Sequence, residues 1–200
     1  TPAFVEDCKI GKQGGKNIDH TKNTYIDTGF NLYNKTAFSV SSWIKQEKDN
    51  SVIIGDHYHG NIWESVRIGT GQIAINGNSD TSLRSEMPTT DIFPLNQWSH
   101  FVFTYDYSSR VGKLYKNGVL VKTMTILDNS IPYNSGRTLR IFKETGIEPN
   151  ASQQAFKGNI DDLRIYATKK KKKDVKEIYQ SRANLDDKGN LNAIKKKKKN

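Results

Sequence analysis

Between Gly55 and Asn61 the chain reads Gly-Asp-His-Tyr-His-Gly-Asn, with Trp63 two residues further on. Aromatic side chains offer flat apolar faces on which the C–H face of a sugar ring can stack, while Asn, Asp and His exchange hydrogen bonds with its hydroxyls. Asp56, His57, Tyr58, His59, Asn61 and Trp63 supply that mixture, and Tyr105, Asp106 and Tyr107 add to it at the end of a neighbouring strand. The candidate ligand-binding set is therefore His57, Tyr58, His59, Asn61, Trp63, Tyr105 and Tyr107. A plain structural role competes with it, with Trp63 in a core and Tyr58 capping an edge. The alternating His57 and His59 can share one face of an extended segment and hold Zn²⁺ or Cu²⁺, but no third ligand lies nearby in sequence. Glycoside hydrolysis needs two carboxylates about 5–10 Å apart across the scissile bond. Asp161 and Asp162 are adjacent on one strand, so they point to opposite faces of a sheet. No Glu–Glu pair sits at strand spacing, and no enzyme activity is expected.

These side chains must be positioned by strands. In Asn96–Lys122, Trp98, His100, Val102 and Thr104 alternate with Ser99, Phe101, Phe103 and Tyr105, a period of two in aromatic and β-branched residues. Tyr107–Gly112 is a turn, and Lys113–Lys116 begins a second strand. Asn117-Gly118 then tolerates positive φ at both central positions of a type I′ turn, which makes a hairpin and completes a three-strand meander. Phe38–Ile44 alternates as well, with Phe38, Val40 and, after a register shift, Trp43 as core candidates. Strands are also expected at Ser51–Ile54, Ile62–Ile68, Ile73–Ile75, Met124–Leu127 and Leu139–Phe142, with Asn76–Pro94 mostly loop around at most one short strand and Lys143–Ala155 a polar loop.

Three stretches carry a family resemblance, in order. Tyr25-Ile-Asp-Thr-Gly29 with Phe38–Ile44 looks like the opening strands of laminin-G-like and concanavalin-A-like lectin/glucanase domains. Trp98-x-His100 with its meander looks like their centre. Phe156–Tyr166 resembles their closing strand, and Val175–Tyr179 their final helical turn. The resemblance spans residues 9–181 and implies an all-β fold, a two-sheet antiparallel jelly-roll sandwich with a short C-terminal helical turn near Asp174–Gln180. Residues 1–8 would be an entry segment or linker and residues 182–200 a lysine-ended flexible tail. It also implies that Asp161, in Gly158-Asn-Ile-Asp161, ties down a neighbouring turn. Distant pentraxin-like features imply Ca²⁺, a hard cation that takes oxygen ligands. The matching positions are Asp49 and Asn50 before one strand and Glu144 and Gln153, with Gln154, before the closing strand. Lys143 stands against the ion.

The formal net charge of +10 is misleading. Lys169–Lys173 and Lys195–Lys199 hold ten lysines, and without them basic and acidic residues balance. A neutral body argues against a specific nucleic-acid binder, which would spread cations and stacking aromatics over a face. The runs are read either as drift in a Lys- and Asn-rich chain or as docking to an anionic glycan, lipid or nucleic acid. In the family pattern, Lys170 falls near a Leu that packs on the sandwich, a place its aliphatic stem can fill. No apolar run is long enough to span a membrane, and the single Cys8 excludes an internal disulfide.

The expected function is a non-catalytic recognition or adhesion module. It would bind a glycan or surface glycoprotein within a larger secreted, cell-surface or virion protein, in an extracellular setting. The alternative is a structural contact domain of a virion or cell-surface assembly that touches a neighbouring protein and binds no sugar.

Overall fold

The computed structural model describes residues 2–5, 8–10, 14–17, 25–56, 65–77, 84–132, 136–142 and 155–183. In chain order the first strands are β1 (Pro2–Val5), β2 (Gly14–Asn17), β3 (Ile26–Asp27), β4 (Ala37–Gln46), β5 (Val52–Gly55), β6 (Val66–Gly69) and β7 (Gln72–Asn76). They are followed by β8 (Arg84–Pro88), β9 (Ser99–Asp106), β10 (Val111–Lys116), β11 (Val119–Thr125), β12 (Arg140–Ile141) and β13 (Gly158–Tyr166), then helix α1 (Lys172–Ala183). Among the described residues the strands form a seven-stranded sheet, β1-β2-β13-β4-β9-β10-β11, and a six-stranded sheet, β3-β12-β5-β6-β7-β8. All the pairings within these sheets are antiparallel. This is the jelly-roll sandwich that the sequence implies.

The meander forms as its pattern dictates. Asn117 and Gly118 have φ of 50° and 79°, so both central positions of the β10–β11 turn lie in the left-handed region. On β9, Phe101, Phe103 and Tyr105 enter the core with Phe38, Val40 and Ile44 of β4 and Leu114 of β10. Ile54, Val66, Ile68, Ile73, Ile75 and Met87 close it from the six-stranded sheet. Each such side chain contributes about 1.5–3 kcal/mol when fully buried.

Two expectations change. Trp43 is buried without a register shift in β4, whose pairing with β9 runs unbroken from Ala37 opposite Asp106 to Ile44 opposite Ser99. Trp43 lies opposite His100, on the outer face of the sheet. The irregularity falls on β13 instead, between Asp161 and Arg164, where Asp162 takes φ 48°. Secondly, Pro2–Val5, read as an entry segment, pairs with β2 and forms the edge of the larger sheet. The short C-terminal helical element expected near Asp174–Gln180 is present, as a 12-residue helix from Lys172 to Ala183.

Helix α1 begins with a side-chain cap, the Lys171 N–H donating to the Asp174 carboxylate at 2.9 Å. It lies on the outer face of the larger sheet, where Val175 is fully buried with Val102 and Tyr115. The Tyr179 ring is 5.8 Å from both Trp43 and His100. Gly118 leaves room for that ring, because a Cβ there would come within 3.1 Å of it. Arg182 closes the helix with an ion pair to Asp162 at 3.2 Å.

Candidate functional site

The two ends of the sandwich carry different chemistry. The turn of residues 47–51 joins β4 to β5 at one end, where the Asn96 N–H donates to the Gln46 carbonyl just before β9 begins. Since β5 and β9 both start there, Asp56 and Asp106 are carried to the opposite end, along with the connections that follow them. We call these the β4–β5 end and the β5–β6 end.

At the β5–β6 end, Asp56 is buried and holds the neck of its connection shut. Its N–H donates to the Val66 carbonyl at 3.0 Å, and its carboxylate accepts from the Val66 N–H at 3.0 Å and from the Ser65 hydroxyl. Asp56 is thus a structural clamp rather than an acceptor for sugar hydroxyls. His57, Tyr58, His59, Asn61 and Trp63, the core of the predicted set, lie outside the described residues.

Tyr105 is a correction. It has no exposed surface, stacks on Phe38 at 4.8 Å and donates its hydroxyl to the Ser130 carbonyl at 2.5 Å. Burial pushes its hydroxyl pKa up, and no ring face is left for a ligand. Its parity on β9, shared with Phe101 and Phe103, turns it inward.

Tyr107 lies beyond the strand end and is half-buried. Its N–H donates to Thr36 O at 2.8 Å, its hydroxyl accepts from Asn129 N–H at 3.0 Å, and the Arg110 guanidinium sits 4.8 Å from its ring centre. Those bonds tie three connections together and bring in Tyr33, which the sequence reading missed. Tyr33 is 43% exposed. Its N–H donates to Asn31 Oδ1, while Asn34, at φ 52°, donates its own N–H to Pro132 O. The available signal was Asn31-Leu-Tyr-Asn34, a tyrosine flanked by turn-forming asparagines ahead of a strand.

Asp106, beside Tyr107, is fully engaged. It accepts from the Ser108 and Ser109 hydroxyls at 2.7 Å each and from the Lys169 ammonium at 2.5 Å. Burial alone would raise its pKa, but these hydrogen bonds outweigh it and hold the carboxyl below the usual range.

At the β4–β5 end, Asp49 and Asn50 are exposed. Asp49 Oδ1 accepts from Gln46 Nε2 at 2.9 Å, and Asn50 turns the chain at φ 53°. Glu144, Gln153 and Gln154 lie outside the described residues, but the chain on both sides of them is anchored to β5. Phe142 N–H donates to Ile53 O at 2.9 Å and Ala155 bridges Val52, close in sequence to Asn50. Asp49 and Asn50 can offer a cation three side-chain oxygens, fewer than the six to eight that calcium takes. Among the described residues no three His, Cys, Asp or Glu side chains gather as a metal site.

The acidic pair on β13 is also engaged. Asp161 Oδ2 accepts the N–H groups of Lys9 and Ile10 at 2.9 and 2.6 Å, tying down a turn as the family pattern implies. Burial raises its pKa, against the pull of those N–H groups. Asp162 is held by Arg164 at 2.8 Å and by Arg182 at 3.2 Å.

Residues 20–176 match the model of the concanavalin A-like lectin/glucanases superfamily. Among solved structures the chain is similar to domain 4 of AbnA, a GH43 extracellular arabinanase from Geobacillus stearothermophilus, in complex with arabinotriose. The TM-score is 0.64 at 19% identity, over 90% of this chain and 82% of that one. It is similar to the binding domain of botulinum neurotoxin serotype G, with a TM-score of 0.61 and 20% identity over 92% of this chain and 46% of that one. A third similar structure is the binding domain of botulinum neurotoxin DC in complex with rat synaptotagmin II. There the TM-score is 0.51 and the identity 17%, over 74% of this chain and 36% of that one. This chain spans less than half of either toxin domain. At these identities the likeness establishes the fold. No curated protein matches the sequence.

Proposed function

The chain belongs to the concanavalin A-like lectin/glucanases superfamily, and on that premise we propose that it is a non-catalytic recognition module whose ligand is a glycan. The observation that carries this reading is that Tyr33 and Tyr107 lie on adjoining connections at the β5–β6 end. Their connections are bonded through Thr36, at the end of the sandwich from which residues 57–64 emerge. Tyr33 offers a ring to the C–H face of a sugar, and Tyr107 offers a partly open one. His57, Tyr58, His59, Asn61 and Trp63 would supply further stacking and hydroxyl contacts. Both carboxylates on β13 are occupied by backbone N–H groups or guanidinium groups, which favours binding over hydrolysis. Asp49 and Asn50, with Glu144 and Gln153, would hold calcium at the far end as a structural ion. We place the module on a larger extracellular, cell-surface or virion protein, consistent with the extracellular arabinanase among its neighbours.

A second reading has its own observation. On edge strand β11, Val119, Leu120 and Val121 are 65%, 42% and 41% exposed, an apolar edge that suits contact with a neighbouring protein.

A glycan array with calcium and again with EDTA tests the first reading. We expect binding that falls at least about tenfold in Tyr33→Ala, Tyr107→Ala or Trp63→Ala, a loss in line with removing one aromatic contact. Silence on the array under both conditions would overturn it in favour of the protein-contact module.

A further inference from the structure

The lysine run ahead of α1 divides into two parts. Lys169 pairs with Asp106 at 2.5 Å, and Lys170 donates its N–H to Ser39 Oγ at 2.8 Å and places its ammonium 4.1 Å from the Tyr166 ring centre. These two belong to the fold. Lys171, Lys172, Lys173 and Lys176 are exposed. Among the described residues, the only carboxylate paired with any of these four ammonium groups is Glu177, 3.8 Å from Lys173 on an exposed surface.

Helix stability does not account for them. Lys172 and Lys173 stand in the first turn, where the helix dipole already presents positive charge and disfavours more. At about 100° per residue, Lys172, Lys173 and Lys176 fall within one arc of about 100° that begins about 60° from the buried Val175. The rest of the sequence, apart from the two lysine runs, is charge-balanced, so the excess positive charge is confined to this run and to Lys195–Lys199.

We propose that the glycan is an acidic polysaccharide, and that Lys171, Lys172, Lys173 and Lys176 contact its carboxylate or sulfate groups. This rests on the recognition reading above and names the ligand class of the same site. The link is the Lys169–Asp106 ion pair: Lys169 is two residues before Lys171 and Asp106 immediately precedes Tyr107, so the pair joins the two segments. A bilayer fits less well, because the lysine arc carries no exposed apolar side chain to insert. Single-stranded nucleic acid fits less well too, because outside the lysine runs the chain is charge-balanced and does not spread cations among stacking aromatics over one face.

The test compares the full chain with a variant combining Lys171→Gln, Lys172→Gln, Lys173→Gln and Lys176→Gln. Titrations use polygalacturonate, dextran sulfate and uncharged dextran between 50 and 300 mM NaCl (roughly the range over which screening of exposed charges becomes strong). We expect the wild type to bind one or both acidic polymers, with affinity falling as salt rises. The variant should lose about tenfold or more at low salt, as for four exposed ion pairs, with a flatter salt dependence. Its melting temperature should be unchanged or higher, because the changes relieve the dipole. Preference for polygalacturonate or for dextran sulfate tells carboxylate from sulfate. Unchanged affinity in the variant would overturn the proposal, as would tighter wild-type binding to phosphatidylserine vesicles or single-stranded DNA. Binding to neutral glycans on the array with no binding to acidic polymers would overturn this inference alone. No glycan binding of any kind would overturn the recognition reading with it.

Discussion

His100 should make this protein acid-sensitive through one identifiable side chain. The residue is 1% exposed, packs against Trp43 at 5.2 Å and Tyr179 at 5.8 Å, and among the described residues neither ring nitrogen has a hydrogen-bond partner. Burial, with a smaller push from the Arg164 guanidinium, lowers its pKa from 6.5 to about 4. The folded state therefore holds the ring neutral while the unfolded chain takes up a proton below pH 6.5. Stability is fully present above that value and is lost as pH falls through the window from 6.5 towards 4. A shift of this size is worth about 3 kcal/mol in full, and about 2.5 kcal/mol by pH 4.5. Urea unfolding followed by tryptophan fluorescence at pH 7, 6, 5 and 4.5 would measure it, with His100→Leu as the control. Leucine has a similar volume and nothing to protonate. At pH 7 it should cost little, since it also removes two unpaired buried nitrogens. The variant should then overtake the wild type as the solution is acidified. Asp161, raised in the folded state, tilts stability the other way in this range but does so equally in both proteins. Parallel pH profiles for wild type and His100→Leu would refute the reasoning.

Two further outcomes follow from the fold. Lys169→Met leaves Asp106 without its cation and should destabilise by about 1–2 kcal/mol at pH 7, the scale of a hydrogen bond to a charged group. Because the Asp106 pKa is depressed, that loss should shrink below the ordinary aspartate range, as melting curves at pH 7 and pH 3 would show. Gly158→Ala should destabilise by at least about 2 kcal/mol, because Gly158 has φ 143° and a Cβ there would lie 2.2 Å from the Lys45 carbonyl oxygen. A melting temperature equal to wild type would contradict that.

Local rules made most of the sandwich legible. Asn-Gly has a steric reason to turn, and period-two alternation on β9 has a packing reason to put Phe101, Phe103 and Tyr105 inside. Assigning Tyr105 to a ligand ignored that parity, because its neighbours Asp106 and Tyr107 looked like one polar-aromatic group. Trp43 departs from expectation for a related reason. A large aromatic was assumed to face the core between the sheets, whereas α1 gives the outer face a second apolar contact that alternation alone cannot reveal. Asp56 and Asp106 have the composition of ligand-binding residues but are consumed by their own turns, which only hydrogen-bond partners disclose. Tyr33 was missed because its value comes from Thr36 bonding to Tyr107, a contact between residues far apart in the chain. The C-terminal helix is legible near Asp174–Gln180, but its full extent is not, since its first residues are lysines that oppose a helix start and its apolar stripe is short.

That short stripe has a kinetic consequence. A 12-residue helix is marginal alone, and α1 buries one side chain completely, Val175. Its amides should therefore exchange with solvent through a partial opening that leaves the meander intact, at a free energy below that of global unfolding. In refolding, the local β9–β10–β11 contacts can form early, while α1 has a surface to dock on only after β4 and β9 have paired. Each opening uncovers Trp43 and His100 together, so acid, by charging His100, should lengthen the time α1 spends detached before the sandwich itself gives way.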